Sequence, residues 1–318
     1  MKSITSRGLA LATAALATVS LAACTSGDSE ASEKPEKIEK IGLMVQDMSN
    51  PFFSAMDKGA KRAASKIGAS NSTQDAQLDL DNQNKQIETF IQQGVDLIVI
   101  SAVDGKGIQP AIERAQRSGI IVVAVDTPAK GADAVVMTDA VQAGEKSCEY
   151  LFEQLGGKGS ILIVDGTPIQ TIRDRITGCE RAMKKHPGIK VAGHQSSKND
   201  RSSGLAVTTD MLTAAPKVQG IFGMNDPSAL GAVQAVTQAN KTDQVQVTGV
   251  DGSPEGVDEL KRKGSPFVGT ATQNPGEMVR RAVQVAQGIV DGKPPKQKTI
   301  LIPSKLVTRD NVEQYKGW

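Results

Sequence analysis

From Lys40 onward the chain alternates short β-branched runs with amphipathic helical stretches, and past Thr138 the same order begins again. Runs such as Leu97-Ile98-Val99-Ile100 and Ile120-Ile121-Val122-Val123 are apolar at every position, as strands are when helices cover both faces of their sheet. That alternation specifies a doubly wound parallel sheet, and its repetition specifies two similar α/β lobes in series. In the first lobe the pattern predicts strands over residues 41–45, 97–100 and 120–125 and helices over 53–67, 82–93 and 108–118, with a second strand hidden in the polar segment 70–80. In the second it predicts helices over 140–155, 172–185, 202–212, 228–238 and 254–263, and strands over 160–164, 190–194, 220–222, 244–250 and 268–272. A helix over 275–291 and a strand over 298–302 then complete the first lobe. No run of Pro, Gly and Ser separates the lobes, so three short crossings are expected, near Thr138-Asp139, Gln273-Asn274 and Ile302-Pro303. Residues 40–138 with 274–302 then form one lobe and 139–273 with 303–318 the other, joined by a hinge that permits closure about a cleft.

In open α/β sheets ligands bind beyond the carboxyl ends of the strands. The residues just past each strand are therefore the candidate site: 46–53, 101–104, Asp126-Thr127, 165–167, 224–226, 250–252 and 272–274. They are rich in carboxylates and amides and contain no histidine or cysteine. That inventory suits hydroxyl groups, because Asp126 or Asp251 accepts from adjacent hydroxyls while Asn50, Asn225 or Gln273 both donates and accepts. Charge-assisted bonds of this kind contribute about 1.5 to 3 kcal/mol each, and an unmatched buried group costs a comparable amount. For each polar residue alone, capping the following helix is the plainer role, and for Asp226 and Ser253 it is the better one.

The stretch Ser49-Asn50-Pro51-Phe52-Phe53 is the most specific of these strand ends. Asn50 is a favoured N-cap, and Pro51 falls at the first helical position, where its missing N–H costs nothing. Phe, Tyr and Trp make up only 3% of the chain, so two adjacent rings at a helix mouth call for a partner. Either they form ordinary core beneath the helix or they pack on the apolar face of a ligand ring.

The first residues set the compartment. Lys2 and Arg7 precede an apolar run from Leu9 to Val19, interrupted by Thr13 and Thr18, and Leu21-Ala22-Ala23-Cys24 follows. This is a secretory signal over residues 1–23, too short for a permanent span of roughly 20 apolar residues. Leu-Ala-Ala-Cys also resembles the lipobox of bacterial lipoproteins. That resemblance implies cleavage before Cys24, lipid on Cys24, and an exported, extracytoplasmic protein held to the cell membrane by the lipid alone; a chance cysteine after a cleavage site is the alternative. Residues 24–39, rich in Ser, Glu and Lys, read as a flexible tether.

Removing Lys2 and Arg7 with the leader brings the 37 basic residues level with the 35 acidic ones, which argues against nucleic acid as a partner. Cys148 and Cys179 both fall in helical segments of the second lobe; they either bridge or are two small buried side chains. His186 and His194 show no ligand spacing to either cysteine, so neither a metal site nor a cofactor is expected. No G-x-S-x-G elbow, Walker loop or G-x-G-x-x-G turn is present. Asp126 and Asp251 facing each other across a cleft could do acid and base work, as in sugar hydrolysis, but paired carboxylates facing a polyol are equally what binding needs.

Along nearly all of residues 40–318 the chain resembles the ribose-type periplasmic sugar-binding proteins of ABC transporters. The resemblance rests on Ser-Asn-Pro-Phe-Phe at 49–53, Val-Asp at 125–126, Ile-Arg-Asp-Arg-Ile-Thr-Gly at 172–178, Asn-Asp-Pro-Ser-Ala-Leu-Gly-Ala at 225–232, Gly-Val-Asp-Gly-Ser-Pro-Glu-Gly at 249–256 and Thr-Gln-Asn-Pro at 272–275. It implies sugar contacts from Asn50, Phe52, Phe53, Asp126, Arg173, Asn225, Asp251 and Gln273. It also implies a monomer that closes on a small neutral sugar or sugar alcohol and presents it to a membrane permease, with ATP hydrolysed by other subunits. A sensory role, passing the signal to a membrane receptor, is the alternative. Where ribose binders usually place Asn, Arg and two aromatics, this chain carries Ser101, Thr127, Asn199 and Val250. Those departures remove a charged clamp and much of the stacking on one sugar face, which favours a sugar alcohol or a different pentose.

Overall fold

The computed structural model describes residues 33–315 and 317–318; the leader and Cys24 lie outside the described residues. Strand β1 (Lys40–Val45) buries every residue after Lys40. It lies between β2 (Ser70–Asp75) and β3 (Leu97–Ile100), and β4 (Ile121–Val125), β5 (Ala134–Thr138) and β11 (Thr299–Ile302) extend the sheet in the order β11-β5-β4-β3-β1-β2. Every pairing in this sheet is parallel.

Alternate residues of the same strands serve opposite faces. Leu43 and Val45 pack with α1 (Pro51–Ile67) and α9 (Pro275–Val290). Met44 and Ile98 pack with α2 (Leu80–Gln93) and α3 (Gln109–Arg117).

The second sheet repeats this plan with one change. Strands β6 (Lys158–Asp165), β7 (Gly188–Ser196), β8 (Gly220–Gly223), β9 (Gln246–Asp251), β10 (Phe267–Thr272) and β12 (Leu306–Thr308) stand in the order β12-β10-β9-β8-β6-β7, and β12 pairs antiparallel to β10. Its faces are covered by α4 (Ala140–Gln154) and α5 (Gln170–Lys185) on one side and by α6 (Arg201–Ala214) and α7 (Asp226–Gln238) on the other; α8 (Pro254–Lys261) leads from β9 towards β10. Among the described residues the chain passes between the sheets after β5, after β10 and after β11.

The strand expected within residues 70–80 is present, while other features depart from the pattern read in the sequence. Polar Ser70–Asp75 is a strand because it is an edge: it pairs with β1 alone, and its side chains stay partly exposed. Strand β5 was not anticipated, because no helix separates it from β4 and the alternation lapses there. The segment expected to be a free tether up to residue 39 joins the lobe earlier: Ile38 is buried in the core, Lys34 bonds Asp133 at 3.1 Å, and Asp96 accepts the backbone N–H groups of Glu39 and Lys40 at 2.7 and 2.8 Å.

Helices α4 and α5 are clamped together. Gly144 lies so close to Arg175 O, and Gly178 to Val141 O, that a Cβ on either glycine would fall 2.0 Å from that oxygen. A disulfide between Cys148, one turn beyond Gly144, and Cys179, next to Gly178, joins the same helices, with Cα atoms 5.2 Å apart. This clamp orients α5, which carries a buried arginine into the space between the sheets.

Candidate functional site

Helix α1 starts as its sequence dictates: Asn50 Oδ1 accepts Phe52 N–H at 3.0 Å and Pro51 occupies the first turn. That start drives Phe52 and Phe53 down together, edge to face with centroids 5.3 Å apart. Both rings belong to the core of the first lobe, and both also wall a small inner cavity of about 50 Å³ between the lobes. Core packing and cavity lining thus fall on the same two rings.

Asp126 closes the first-lobe side of this cavity. It is buried, 6% exposed, and sits at φ 62°, a left-handed conformation unusual outside glycine. Gln46 holds the surrounding strand ends together, its Nε2 donating to Ser101 Oγ at 3.1 Å, Ala102 O at 3.0 Å and Thr127 Oγ1 at 2.9 Å. Ser101 and Thr127 hydroxyls both stand 3.4 Å from Asp126 Oδ2. Neither side chain walls the inner cavity; they hold Asp126 there. Burial pushes the Asp126 carboxyl above the ordinary range, and the nearby Arg175 and the two hydroxyls pull it back.

The second-lobe side is a charged cluster. Arg175 Nη1 donates to Met224 O at 2.8 Å and lies 3.6 Å from Asp251 Oδ1. Asp251 Oδ1 accepts from Gln273 Nε2 at 2.8 Å and Oδ2 from Asp226 N–H at 3.2 Å, with the Asp251 backbone at φ 147°. Behind them Asp226 is fully buried, accepting the N–H and hydroxyl of Ser253, each at 2.8 Å, and the Thr270 hydroxyl at 2.6 Å. Burial raises Asp251 to about 6 against the pull of Arg175. Burial and the charge of Asp251 raise Asp226 to about 7. Among the described residues, two polar atoms in this cluster have no hydrogen-bond partner: Arg175 Nε, a donor, and Gln273 Oε1, an acceptor.

The lobes already touch here, since Thr171 at the start of α5 donates its hydroxyl to Asp126 O at 2.9 Å.

Several residues singled out from the sequence take other roles. Arg173 does not enter the cavity; its guanidinium donates to Pro168 O and to Gln170 Oε1 and is exposed. Two helical positions apart means roughly 200° around the axis, so Arg173 and Arg175 face opposite ways and Arg175 is the inward one. The signal was present in the apolar stripe Ile172, Cys179 and Ala182, on which Arg175 falls at i+3 from Ile172.

Asn199, at φ 66°, spends its side chain on Thr167, accepting N–H at 2.9 Å and donating to Oγ1 at 2.7 Å. Asn225 caps α7 through Ser228 N–H at 2.9 Å and donates to Asn199 O at 3.0 Å. Both therefore wall the cavity with their polar atoms already engaged. The cap of α7 is Asn225 and not Asp226, whereas Ser253 does cap α8. Val250 is buried in the second-lobe core. Asn50, Asp126, Asp251 and Gln273 all reach the cavity. Among the described residues no group of three His, Cys, Asp or Glu side chains is placed to hold a metal, and no helix is long and apolar enough to cross a membrane.

The inner cavity shares Gln46, Asn50, Phe53, Asn199 and Asp251 with a wider outer chamber of about 490 Å³. Leu78 overhangs that chamber, 48% exposed and at φ 57° beside Gln77 at φ 54°. Strained non-glycine backbone thus gathers around the cleft.

The periplasmic binding protein domain family matches residues 41–294. The ribose import binding protein RbsB of Bacillus subtilis is 33% identical over 272 residues, covering 85% of this chain and 87% of its own. The xylitol-binding protein of Mycolicibacterium smegmatis is 29% identical, covering 98% of this chain and 88% of its own. A solved ABC transporter periplasmic solute-binding protein from Actinobacillus succinogenes, with bound D-allose, superposes with a TM-score of 0.83 at 27% identity, covering 87% of this chain and all of that one.

Proposed function

The chain belongs to the family of periplasmic binding proteins, and on that premise we propose that it is the extracytoplasmic sugar-binding component of an ABC importer. Its ligand is a small neutral polyhydroxylated molecule, a pentose such as ribose or a sugar alcohol such as xylitol, the ligands for which two relatives are named. The single observation that carries this reading is the pair of unpartnered atoms, Arg175 Nε and Gln273 Oε1, set beside the carboxylates of Asp126 and Asp251. A vicinal diol donates and accepts at each oxygen and satisfies such a set, whereas an apolar ligand leaves it unpaired at about 1 to 3 kcal/mol per group. Two cavity carboxylates against one guanidinium also disfavour an anionic ligand.

Binding, and not bond cleavage, fits the carboxylates' surroundings. Asp251 is held from two sides by Gln273 and Asp226 N–H, an arrangement for fixing a hydroxyl. Lipid on Cys24 would tether the protein outside the cell membrane, as a monomer, and lobe closure would present the loaded form to the permease. A thermal-shift screen against pentoses, hexoses and four- to six-carbon polyols tests the reading, since a ligand of the native state raises the melting temperature. A shift with a pentose or polyol and recovery of that compound unaltered is expected. Turnover, or silence across the panel, would overturn it.

A further inference from the structure

After β12 the chain runs along the second lobe. Tyr315 donates its hydroxyl to Gly252 O at 3.1 Å, and Gly317, at φ 76°, lies against Pro254. From there the half-buried indole of Trp318 reaches both lobes. Its Nε1–H donates to Asp251 O at 2.9 Å, a carbonyl that also accepts Gln273 N–H at 2.7 Å. Its ring meets Phe52 edge-on, centroids 5.8 Å apart and planes at 90°, and packs against the core of the first lobe. Trp318 walls the outer chamber and not the inner cavity, yet it touches a cavity-lining residue on each side of the cleft.

We propose that Trp318 is an interlobe clasp and a positioning residue: its indole fixes the backbone of Asp251 on one lobe and the ring of Phe52 on the other, favouring the closed arrangement that grips a polyhydroxylated ligand. The inference rests on the sugar-binding reading for its purpose, but not for its geometry. Asp251 stands at φ 147°, and a conformation of that kind persists only where the surroundings hold it; the two donors on its carbonyl do so. The Phe52 contact spans the lobes and is lost when they part, so it favours the closed form alone, which is the condition for shifting that equilibrium.

Trp318 is the single tryptophan of the chain, so its emission reports this contact unmixed. The full chain, W318F and W318A are compared by small-angle scattering without sugar and by titration with D-ribose and xylitol. W318F keeps a ring against Phe52 and loses the N–H; it should scatter as wild type while binding whichever compound the wild type takes about fivefold more weakly, the effect of one neutral hydrogen bond. W318A should scatter with a larger radius of gyration and bind more weakly still. In the wild type, the bound compound should reduce quenching of the Trp318 emission by acrylamide.

Identical scattering of W318A and wild type overturns the clasp, and undiminished affinity in W318F overturns the positioning role. If W318A does not fold, the quenching of the wild type and the affinity of W318F carry the test. If neither compound binds the wild type, the affinity arm uses the pentose or polyol that the thermal-shift panel selects, silence across that panel overturns the sugar reading, and the scattering of a folded W318A decides the clasp in either case.

Discussion

At the first-lobe strand ends Gln46, Asn50, Phe52 and Phe53 surround a single carboxylate, Asp126, whereas the second lobe sets Arg175 against Asp251 with Asp226 buried behind it. The same order of strands supports both. On one side the geometry is fixed by neutral donors, each contributing about 1 kcal/mol. On the other it is fixed by buried charges, where removing one partner leaves the rest uncompensated at about 3 to 5 kcal/mol. The first lobe should therefore tolerate loss of single site residues, and the second should not. The disulfide and the glycine clamp between α4 and α5 lie on the side that carries Arg175, as a charge cluster intolerant of displacement would require.

The largest effect should come from Arg175→Ala. It strands Asp251 and Asp126, and a urea denaturation curve should show a loss of about 3 kcal/mol together with loss of ligand binding. Arg173→Ala should stay within about 0.5 kcal/mol of wild type and bind normally; equal damage from both would erase the distinction between the two arginines. Next, Cys148→Ser with Cys179→Ser removes the cross-link, for which about 2 to 4 kcal/mol is typical. Hydrogen exchange should then quicken in α4 and α5 while β1 and α1 keep their protection.

Asp126→Ala should weaken binding at least tenfold, about 1.4 kcal/mol, with an unchanged melting profile in the absence of ligand. A further effect is a slope in pH. Burial raises Asp251 to about 6 and Asp226 to about 7, so between the ordinary carboxylate range near pH 4 and about pH 7 the folded protein binds more protons than the unfolded chain. Their contribution to stability is full at the acid end of that window and declines as pH rises through it. Urea midpoints measured across the window should show that decline, and Asp226→Asn should flatten it even while lowering stability overall.

The fold was largely legible because buried parallel strands advertise themselves as unbroken apolar runs, and Leu97–Ile100 is buried at every position. What escaped were elements whose signal depends on neighbours. Strand β5 has no helix before it, and β12 is only three residues long and antiparallel. The site was legible as a set of strand ends but not as a set of roles. That Asp126 and Asp251 face a cavity follows from their place after strands. That Ser101 and Thr127 turn to Gln46 and Asp126, or that Asn199 is absorbed by Thr167, depends on loop geometry no local pattern encodes.

The exchange of Arg173 for Arg175 is different in kind. The motif contains both, and only helical periodicity separates them. Trp318 lies 67 residues from Asp251 in sequence, so its approach to Asp251 is visible in three dimensions alone.

The most direct measurement of two-lobe capture is isothermal titration of the best-binding pentose or polyol into wild type, Asp126→Ala and Asp251→Asn side by side. The account predicts at least a tenfold loss in each variant, because hydroxyls are gripped from both lobes. Undiminished affinity in either one would mean that the ligand is held by a single lobe, and would contradict it.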